Sequence, residues 1–565
     1  MKKNTLIIIC LIFLSAIFAP KKAISQVVPI FTAQDSLRGT LSPLRTCFDV
    51  TYYDIALRVI PNEKKISGKN TIHYLVKADF KKIQLDLFEN LAIEKILYHN
   101  KPLKFTRNGN AFFVDFDDIQ KKNKRDSLTV FYAGIPTEAK NAPWDGGFSW
   151  KKDNDKNDWI GLSCEGIGAS LWFPNKDHLS DEPDNGVRVA CEVPSDLICV
   201  ANGKLFSTQK LPDNYTRYDW RTSYPINNYN ITLNIGKYVH FDDIYTAEDG
   251  QKLALDYYVM PYNLEKAKKQ FEQVKPMLKC FERYFGKYPF WNDGYALVET
   301  PYLGMEHQTA IAYGNKYQNG YNGRDLSKSG VGMLFDFIII HESGHEYWGN
   351  NLSAQDHAEM WLHEAFTTYS EVLYVECMFG KAQADTYVNG YKKIVANQEP
   401  MLAPLGVNAD APGDIYFKGA LMLNTLRNVL NDDKLWFDIL KGLQKDFSMK
   451  TTNTKEVVNY INKKAKKDLT YFFDEYLEYA QIPTLEYYFE EDKNNAKTNK
   501  GGKILFFRWN SNNNKFAMPL IINNKTISAT TNWQSTKIPN NNVASTFNGL
   551  NELVLRYYIR IRETK

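Results

Sequence analysis

The sequence predicts a multidomain α+β protein, with an antiparallel β domain first, a mixed α/β domain second and a small β domain last. The chain has 565 residues, which exceeds the length at which a single hydrophobic core stops growing, so several domains are expected. Apolar residues alternate with polar ones in the first part of the chain, follow a helical period in the middle and alternate again near the end. Such changes of period indicate changes of secondary structure.

Residues 1–25 are expected to be a secretory signal peptide. Lys2 and Lys3 precede the apolar stretch Leu6–Ala19, and small residues occupy the two positions that a signal peptidase reads before a cut after Ser25. An uncleaved anchor is the alternative, but this apolar stretch is shorter than the roughly 18 residues of a membrane helix. The protein is therefore expected to be exported, periplasmic or secreted, without stable membrane insertion.

Charge and cysteine content narrow the function classes further. Removal of the signal peptide takes away four lysines and changes the formal net charge from +4 to about zero, so no nucleic-acid-binding surface is indicated.

The spacing of the remaining cysteines matches neither a disulfide framework nor a zinc ribbon. Export permits disulfides, yet we expect buried free thiols for most of these cysteines. They are Cys47, Cys164, Cys191, Cys199, Cys280 and Cys377.

Residues 26–260 are predicted to form the amino-terminal β domain. Apolar and polar residues alternate in Tyr52–Ile60 and Lys82–Leu87, and turn residues separate such runs. Alternation with a period of two is typical of antiparallel strands that bury one face.

Residues 261–485 are predicted to form the mixed α/β domain. Leu264–Phe285 carries apolar residues at helical spacing and ends before Gly286, a common helix stop. Tyr295–Glu299 is predicted to be a strand within this domain. Further helices are predicted at Met360–Phe379 and Gly419–Leu430.

Residues 486–565 are predicted to form the small carboxy-terminal β domain. The period returns to two, and three runs are predicted to be strands. These are Lys503–Trp509, Phe516–Ile522 and Leu553–Ile561.

A His-Glu-x-x-His motif at residues 341–345 predicts a metal site. His341 and His345 are four residues apart, so on a helix both imidazoles can reach one ion. Glu342 lies beside the metal and can accept a proton from a water that the metal makes more acidic. A five-residue pattern also arises by chance at the polar end of a helix. The preceding Ile338–Ile340 argues against chance, because it places these polar groups in a buried environment.

Glu364 is predicted to be the third protein ligand of one zinc ion. It follows His345 by 19 residues and stands after Trp361, a candidate core residue. Two histidines and one carboxylate leave the fourth position of a tetrahedral zinc open, which is typical of a catalytic site. Glu371, seven residues further along the same helix face, is a candidate to orient a ligand histidine; the alternative is an exposed helix acid.

The residues around these ligands resemble the aminopeptidase N and leukotriene hydrolase family of zinc metallopeptidases, the gluzincins. That family continues its His-Glu-x-x-His helix into two aromatic residues, Gly and Asn, matched here by Tyr347–Asn350. Its glutamate ligand lies within Trp-Leu-Asn-Glu, matched by Trp361–Glu364 with His363 in place of Asn. The resemblance implies a thermolysin-like catalytic domain.

The family's Gly-x-Met-Glu-Asn motif resembles residues 303–307, Leu-Gly-Met-Glu-His. By resemblance, Gly304 and Met305 belong to an edge strand that pairs with the substrate backbone, and Glu306 binds the free α-amino group. His307 stands where the family has Asn, so specificity details that depend on that Asn do not carry over.

Two further positions follow from the resemblance. Glu165, nine residues before Pro174, matches the family's β-domain loop and would be a second acid around the substrate amine; the alternative is an ordinary loop acid. Tyr416 stands in a Tyr-x-Lys-Gly element, whose tyrosine hydroxyl donates a hydrogen bond to the oxyanion in the family.

The resemblance implies a zinc-dependent aminopeptidase that removes the amino-terminal residue of peptides by water attack, with Glu342 as general base. The chain ends too early for the large helical carboxy-terminal domain of many relatives, so we expect a short form with a more open site. The alternatives are a thermolysin-like endopeptidase, a lipid epoxide hydrolase and a non-catalytic peptide-binding module. Neither the preferred first side chain nor the number of subunits follows from the sequence.

Overall fold

The structure is a computed structural model that describes residues 31–492, 502–522 and 525–564. The predicted signal peptide, residues 1–25, lies outside these described residues. Within them, no helix is both long enough and apolar enough to cross a membrane.

The amino-terminal part of the chain is a β domain preceded by two short helices. The helices are α1 Ala33–Gly39 and α2 Pro43–Thr46. The strands are β1 Phe48–Ile60, β2 Lys65–Val76, β3 Phe80–Asp86, β4 Leu91–Tyr98, β5 Lys101–Pro102, β6 Lys104–Asn108, β7 Ala111–Gln120, β8 Arg125–Gly134, β9 Gly147–Lys152, β10 Asp158–Ser163, β11 Val187–Pro194, β12 Ile198–Val200, β13 Lys204–Lys210, β14 Tyr215–Arg221 and β15 Asn234–Gly236.

Three sheets make up this domain, and the largest departs from the predicted antiparallel pattern at one pair. Its order is β13-β14-β11-β1-β2-β8-β4-β5, and β1 pairs antiparallel with β2 but parallel with β11. A parallel pair needs a long crossover, and here the chain passes through β2 to β10 before β11 returns beside β1. The other pairs of this sheet are antiparallel as predicted, and β1–β11 is the exception. The smaller sheets have the orders β12-β15-β10-β9 and β3-β7-β6.

The part of the chain that corresponds to the predicted catalytic domain, here called the catalytic part, begins with a strand hairpin and is otherwise rich in helices. Its strands are β16 Val239–Thr246, β17 Lys252–Val259, β18 Tyr295–Glu299, β19 Gly304–Met305, β20 Ile311–Tyr313, β21 Leu352–Ala354 and β22 Lys450–Thr452. Its helices are α3 Leu264–Gln270, α4 Val274–Phe285, α5 Phe337–Gly344, α6 Trp361–Phe379, α7 Lys381–Gly390, α8 Asp414–Leu430, α9 Asp433–Asp446, α10 Thr454–Ala465 and α11 Thr470–Leu477.

The β16–β17 hairpin belongs to this catalytic part. The sheet has the order β16-β17-β18-β20-β19, and β17 pairs parallel with β18. Leu255 and Tyr257 of β17 pack in the same core as the helices that follow. The boundary predicted at residue 260 therefore falls one hairpin too late. The hairpin belongs with the later elements because β17 forms hydrogen bonds with β18, which lies far along the chain.

Helix α6 runs through the centre of the catalytic part, and every side chain from Trp361 to Val375 is buried. Helix α8 packs closely against it: a β-carbon on Gly419 would lie 2.4 Å from the β-carbon of Ala365. A disulfide between Cys280 and Cys377 joins α4 to α6. The other four cysteines of the described chain are free and buried, which agrees with the expectation for most of them.

The carboxy-terminal part contains strands and one helix. The elements are β23 Thr484–Glu491, β24 Gly502–Asn510, β25 Ala517–Ile522, β26 Lys525–Thr530, β27 Gln534–Pro539, α12 Val543–Arg556 and β28 Arg560–Glu563. The strand predicted at Leu553–Ile561 was wrong, because α12 extends to Arg556 and only β28 follows as a strand. Leu550 and Leu553 of α12 are buried in the core of the catalytic part. Packing of a helix against this core therefore outweighed the alternating pattern that predicted a strand.

Candidate active site

The helix that carries the His-Glu-x-x-His motif is capped and buried. Asp336 is its N-cap residue, and one carboxylate oxygen accepts hydrogen bonds from the backbone N–H of Ile338 and Ile339. The other oxygen accepts one from the Tyr313 hydroxyl at 2.7 Å. Every side chain of α5 is buried. The cap and the buried surroundings together fix where the motif's side chains point.

His341, His345 and Glu364 form a compact donor set. The Glu364 Oε2 atom lies 3.5 Å from His341 Nε2 and 3.4 Å from His345 Nε2. All three side chains are buried. Ligand atoms about 2.0–2.2 Å from a tetrahedral zinc are about 3.3 Å apart, close to the spacing found here. Two imidazole nitrogens and one carboxylate oxygen are also donors that zinc prefers, so the residues present fit a zinc ion.

Both ligand histidines are oriented through their other ring nitrogen. His341 Nδ1 lies 2.7 Å from Glu371 Oε1, and His345 Nδ1 lies 3.0 Å from the backbone oxygen of Trp348. Each Nδ1–H donates to these acceptors, which leaves the Nε2 lone pairs directed at the metal position. Glu371 is fully buried and also accepts hydrogen bonds from the hydroxyls of Tyr387 and Tyr391. The alternative of an exposed helix acid at this position is excluded.

Glu342 lies against the edge strand β19. A β-carbon on Gly304 would lie only 2.8 Å from Glu342 Oε1 and 2.9 Å from a methyl group of Ile338. Any larger residue at 304 would displace the carboxylate, so the glycine is required by this close approach. Burial raises the pKa of Glu342 to about 7, which suits a group that both accepts and returns a proton.

Glu306 and Glu165 place two more carboxylates beside the donor set. Oxygen atoms of Glu165, Glu306 and Glu364 all lie within 4.8 Å of one another. Glu306 follows directly after β19, which pairs only with β20 and forms the edge of its sheet. Burial and the neighbouring carboxylates raise the pKa of Glu165 well above its usual value. Two buried acids and the half-buried Glu165 at this spacing favour a bound cation.

The amino-terminal helix α1 holds the loop that carries Glu165. Arg38 at the end of α1 donates a hydrogen bond to the backbone oxygen of Gly166 at 3.0 Å. Its guanidinium also lies 3.6 Å from Asp177, which accepts a hydrogen bond from Ser170 of the same loop. Sequence reasoning missed Arg38, because no motif surrounds it and its partners are more than 120 residues away.

Tyr416 faces the donor set from the first turn of α8. Its ring centroid lies 6.0 Å from that of His341, with the two rings nearly parallel. Burial, followed by the nearby carboxylates, raises the pKa of Tyr416 well above 10. The hydroxyl therefore keeps its proton at neutral pH and can act as a hydrogen-bond donor.

All nine site residues predicted from the sequence line one cavity of about 450 Å³. They are His341, His345, Glu364, Glu342, Tyr416, Glu306, Glu165, Gly304 and Met305. The remaining lining residues are mainly apolar and include Trp144, Tyr321, Leu326, Phe337 and Phe417. No Lys or Arg occurs among the described residues that line it.

The two histidines that depart from the family motifs are both buried. Burial lowers the pKa of His307 to about 3, and neither ring nitrogen has a hydrogen-bond partner within the described chain. Burial also lowers the pKa of His363 to about 3. In contrast to His307, His363 contacts Tyr229, which in turn contacts Glu306. Tyr229 lies in the β domain outside any recognised motif, so sequence reasoning could not find it.

Sequence comparison relates the chain to one peptidase family. The profile of the Peptidase M1 N-terminal domain matches residues 50–229, and the profile of the Peptidase family M1 domain matches residues 269–476. The second range contains all three members of the donor set.

Characterised relatives are longer than this chain. Aminopeptidase N of Haemophilus influenzae is 21% identical over 378 residues, which are 63% of this chain and 40% of that protein. Aminopeptidase N of Escherichia coli is 23% identical over 309 residues, which are 51% of this chain and 34% of that protein. The chain thus spans less than half the length of either relative.

Solved structures share the fold. An M1 zinc metallopeptidase mutant from Deinococcus radiodurans, bound to a Tyr-Ser-Ala substrate, superposes with a TM-score of 0.64 at 18% identity, covering 78% of this chain and 96% of that chain. Legionella pneumophila aminopeptidase A in complex with aspartic acid gives a TM-score of 0.71 at 15% identity, covering 87% of this chain and 57% of that chain.

Glu371→Gln is expected to weaken zinc binding by about 10–100-fold, because a neutral amide orients and polarises His341 less strongly than a carboxylate does. The dissociation constant can be measured by competition with a chromogenic zinc chelator. Glu399→Gln is the matched control, since this substitution removes the same charge at an exposed position. Equal zinc affinity in the two variants would show that Glu371 does not support the metal site.

Proposed function

The chain belongs to peptidase family M1, and on this premise we propose that it is a zinc-dependent aminopeptidase that removes the first residue of peptides. One observation carries the proposal. The oxygens of Glu165 and Glu306 lie within 4.8 Å of Glu364, a member of the zinc donor set. A peptide's terminal ammonium ion can satisfy these acids only if its first peptide bond lies beside the metal position.

Substrate binding follows from the geometry around Glu306. Strand β19 has an unpaired edge, so an extended peptide can add to it by backbone hydrogen bonds. Glu306 at the end of this strand then binds the ammonium group together with Glu165. These contacts position the scissile carbonyl beside Glu342 and Tyr416.

The chemistry divides among three groups. Zinc held by His341, His345 and Glu364 would polarise the scissile carbonyl and make a water more acidic. Glu342 accepts the proton of the attacking water and returns it to the leaving amine. Tyr416 donates a hydrogen bond to the oxygen on which negative charge develops.

We further propose that the protein is exported to the periplasm or secreted. The basic, apolar and small-residue pattern of residues 1–25 supports this, and so does the disulfide between Cys280 and Cys377, since disulfides persist in oxidising compartments. Amino-terminal sequencing of the protein recovered from outside the cytoplasm is expected to begin at Gln26. A cytoplasmic protein that begins at Met1 would contradict export.

Amino-terminal acetylation of a peptide is expected to reduce cleavage at least about a thousand-fold, because it removes the charge that Glu306 and Glu165 bind. The comparison is best made by mass spectrometry of free and acetylated forms of one peptide. Glu342→Gln is the control for contaminating peptidases and should lower kcat about 10²–10⁴-fold. Internal cleavage of the acetylated peptide would instead identify an endopeptidase.

A dipeptide and its carboxy-terminal amide are expected to have kcat/KM values within about five-fold of each other. The physical reason is the lack of Lys and Arg among the described residues that line the cavity, so that no cation recognises the substrate carboxylate. Parallel assays of one dipeptide in both forms test this. A strong preference for the free acid would contradict such an open site.

A further inference from the structure

Three buried residues form a chain of hydrogen bonds that ends on Glu306. The backbone N–H of Ala354 lies 2.8 Å from His363 Nε2. The other ring nitrogen, Nδ1, lies 3.2 Å from the hydroxyl oxygen of Tyr229. That hydroxyl lies 2.9 Å from Glu306 Oε1. His363, Tyr229 and Glu306 are each at most 3% exposed, so these contacts are largely shielded from bulk water.

The backbone amide determines the direction of every bond in the chain. An N–H group can only donate, so His363 Nε2 must carry a lone pair and the ring hydrogen must be on Nδ1. Nδ1–H then donates to the Tyr229 oxygen. Because Nδ1 cannot also accept, the Tyr229 hydroxyl hydrogen is directed at Glu306 Oε1. This leaves Glu306 Oε2 available to a ligand.

We propose that His363 is a positioning residue for recognition of the substrate amino terminus, and that it acts on Glu306 through Tyr229. This inference deepens the proposed aminopeptidase function and rests on it. His363 immediately precedes Glu364 in the first turn of α6. One helical turn therefore supplies both a zinc ligand and the anchor of the ammonium-binding carboxylate, which sets the distance between the metal position and the substrate amine.

Substitution of His363 by Asn or by Gln distinguishes the roles of the two imidazole nitrogens. An asparagine amide reaches the position of Nδ1 and can still donate to Tyr229, but it is too short to accept from Ala354. A glutamine amide reaches the position of Nε2 and can still accept from Ala354, but it offers Tyr229 no donor. The Asn that the family usually has at this position would keep the same donor as His363.

The test uses zinc-loaded full-length enzyme and two probes, leucine hydroxamate and N-acetyl-leucine hydroxamate. Both carry the same metal-binding group, and only the first carries a free ammonium. Calorimetry gives the two dissociation constants, and their ratio reports amine recognition separately from zinc binding. We expect wild type to prefer the free amine at least about thirty-fold.

His363→Gln and Tyr229→Phe are each expected to lower this preference on the order of ten-fold. Tyr229→Phe removes the hydrogen bond to Glu306, and His363→Gln removes the donor that fixes the direction of the Tyr229 hydroxyl. His363→Asn is expected to stay within about three-fold of wild type. Tyr218→Phe is the matched control, since it removes a buried hydroxyl that bonds only to the Leu197 backbone oxygen of the β domain. Metal analysis and the thermal unfolding midpoint of each variant identify losses caused by zinc release or unfolding.

Two outcomes would overturn the inference. In one, His363→Gln and Tyr229→Phe both keep the wild-type preference. In the other, His363→Asn loses as much preference as His363→Gln, which would mean that the Nδ1 donor is not the effective group. A wild-type enzyme without any preference for the free amine would instead contradict the proposed aminopeptidase function, so the two failures are distinguishable.

Discussion

Four carboxylates crowded into one cavity are the constraint on which this structure depends. Four carboxylates line one cavity, and two imidazoles are their only basic neighbours among its described lining residues. Burial of a carboxylate is costly unless a cation compensates it. A zinc ion beside His341, His345 and Glu364 would compensate part of this charge, and under the proposed function a substrate ammonium beside Glu306 and Glu165 would compensate the rest. The same electrostatic need would thus underlie both zinc binding and the proposed selection for a free amino terminus.

Both domains contribute contacts that position these carboxylates. The catalytic helices position the zinc donor set, whereas the β domain supports the edge strand and its acids. Tyr302 beside β19 donates a hydrogen bond to the backbone oxygen of Leu162 in β10, and Asn202 donates one to the oxygen of Gln308. Together with the hydrogen bond from Tyr229 to Glu306, these contacts place Glu306 at the interface between the domains. Glu306 thus depends on a contact with the β domain, whereas Glu165 lies on a loop that is held within the amino-terminal part itself.

Most of the secondary structure followed from local pattern, and the exceptions have a common cause. The strand at Tyr295–Glu299 and the long helix α6 agree with the periodicity of their sequences. The parallel pairing of β1 with β11, the membership of the β16–β17 hairpin and the helix α12 did not follow from it. Each of these depends on partners far away in the chain. Hydrogen-bonding and packing partners at such separations leave no trace in local periodicity.

The sequence by itself predicted the zinc donor set and a general base. Helix pitch places His341 and His345 on one face of a helix, and the spacing to Glu364 suggested the third ligand. Resemblance to family motifs added Glu306, Glu165 and Tyr416 as candidates. Only the tertiary structure decided that all of them meet in one cavity, and only it revealed Tyr229 and the role of His363. A hydrogen bond forms between atoms within about 3 Å. Tyr229 and His363 are 134 positions apart in the sequence, and no local pattern predicts contact over that separation. This contact exists because two domains fold against each other.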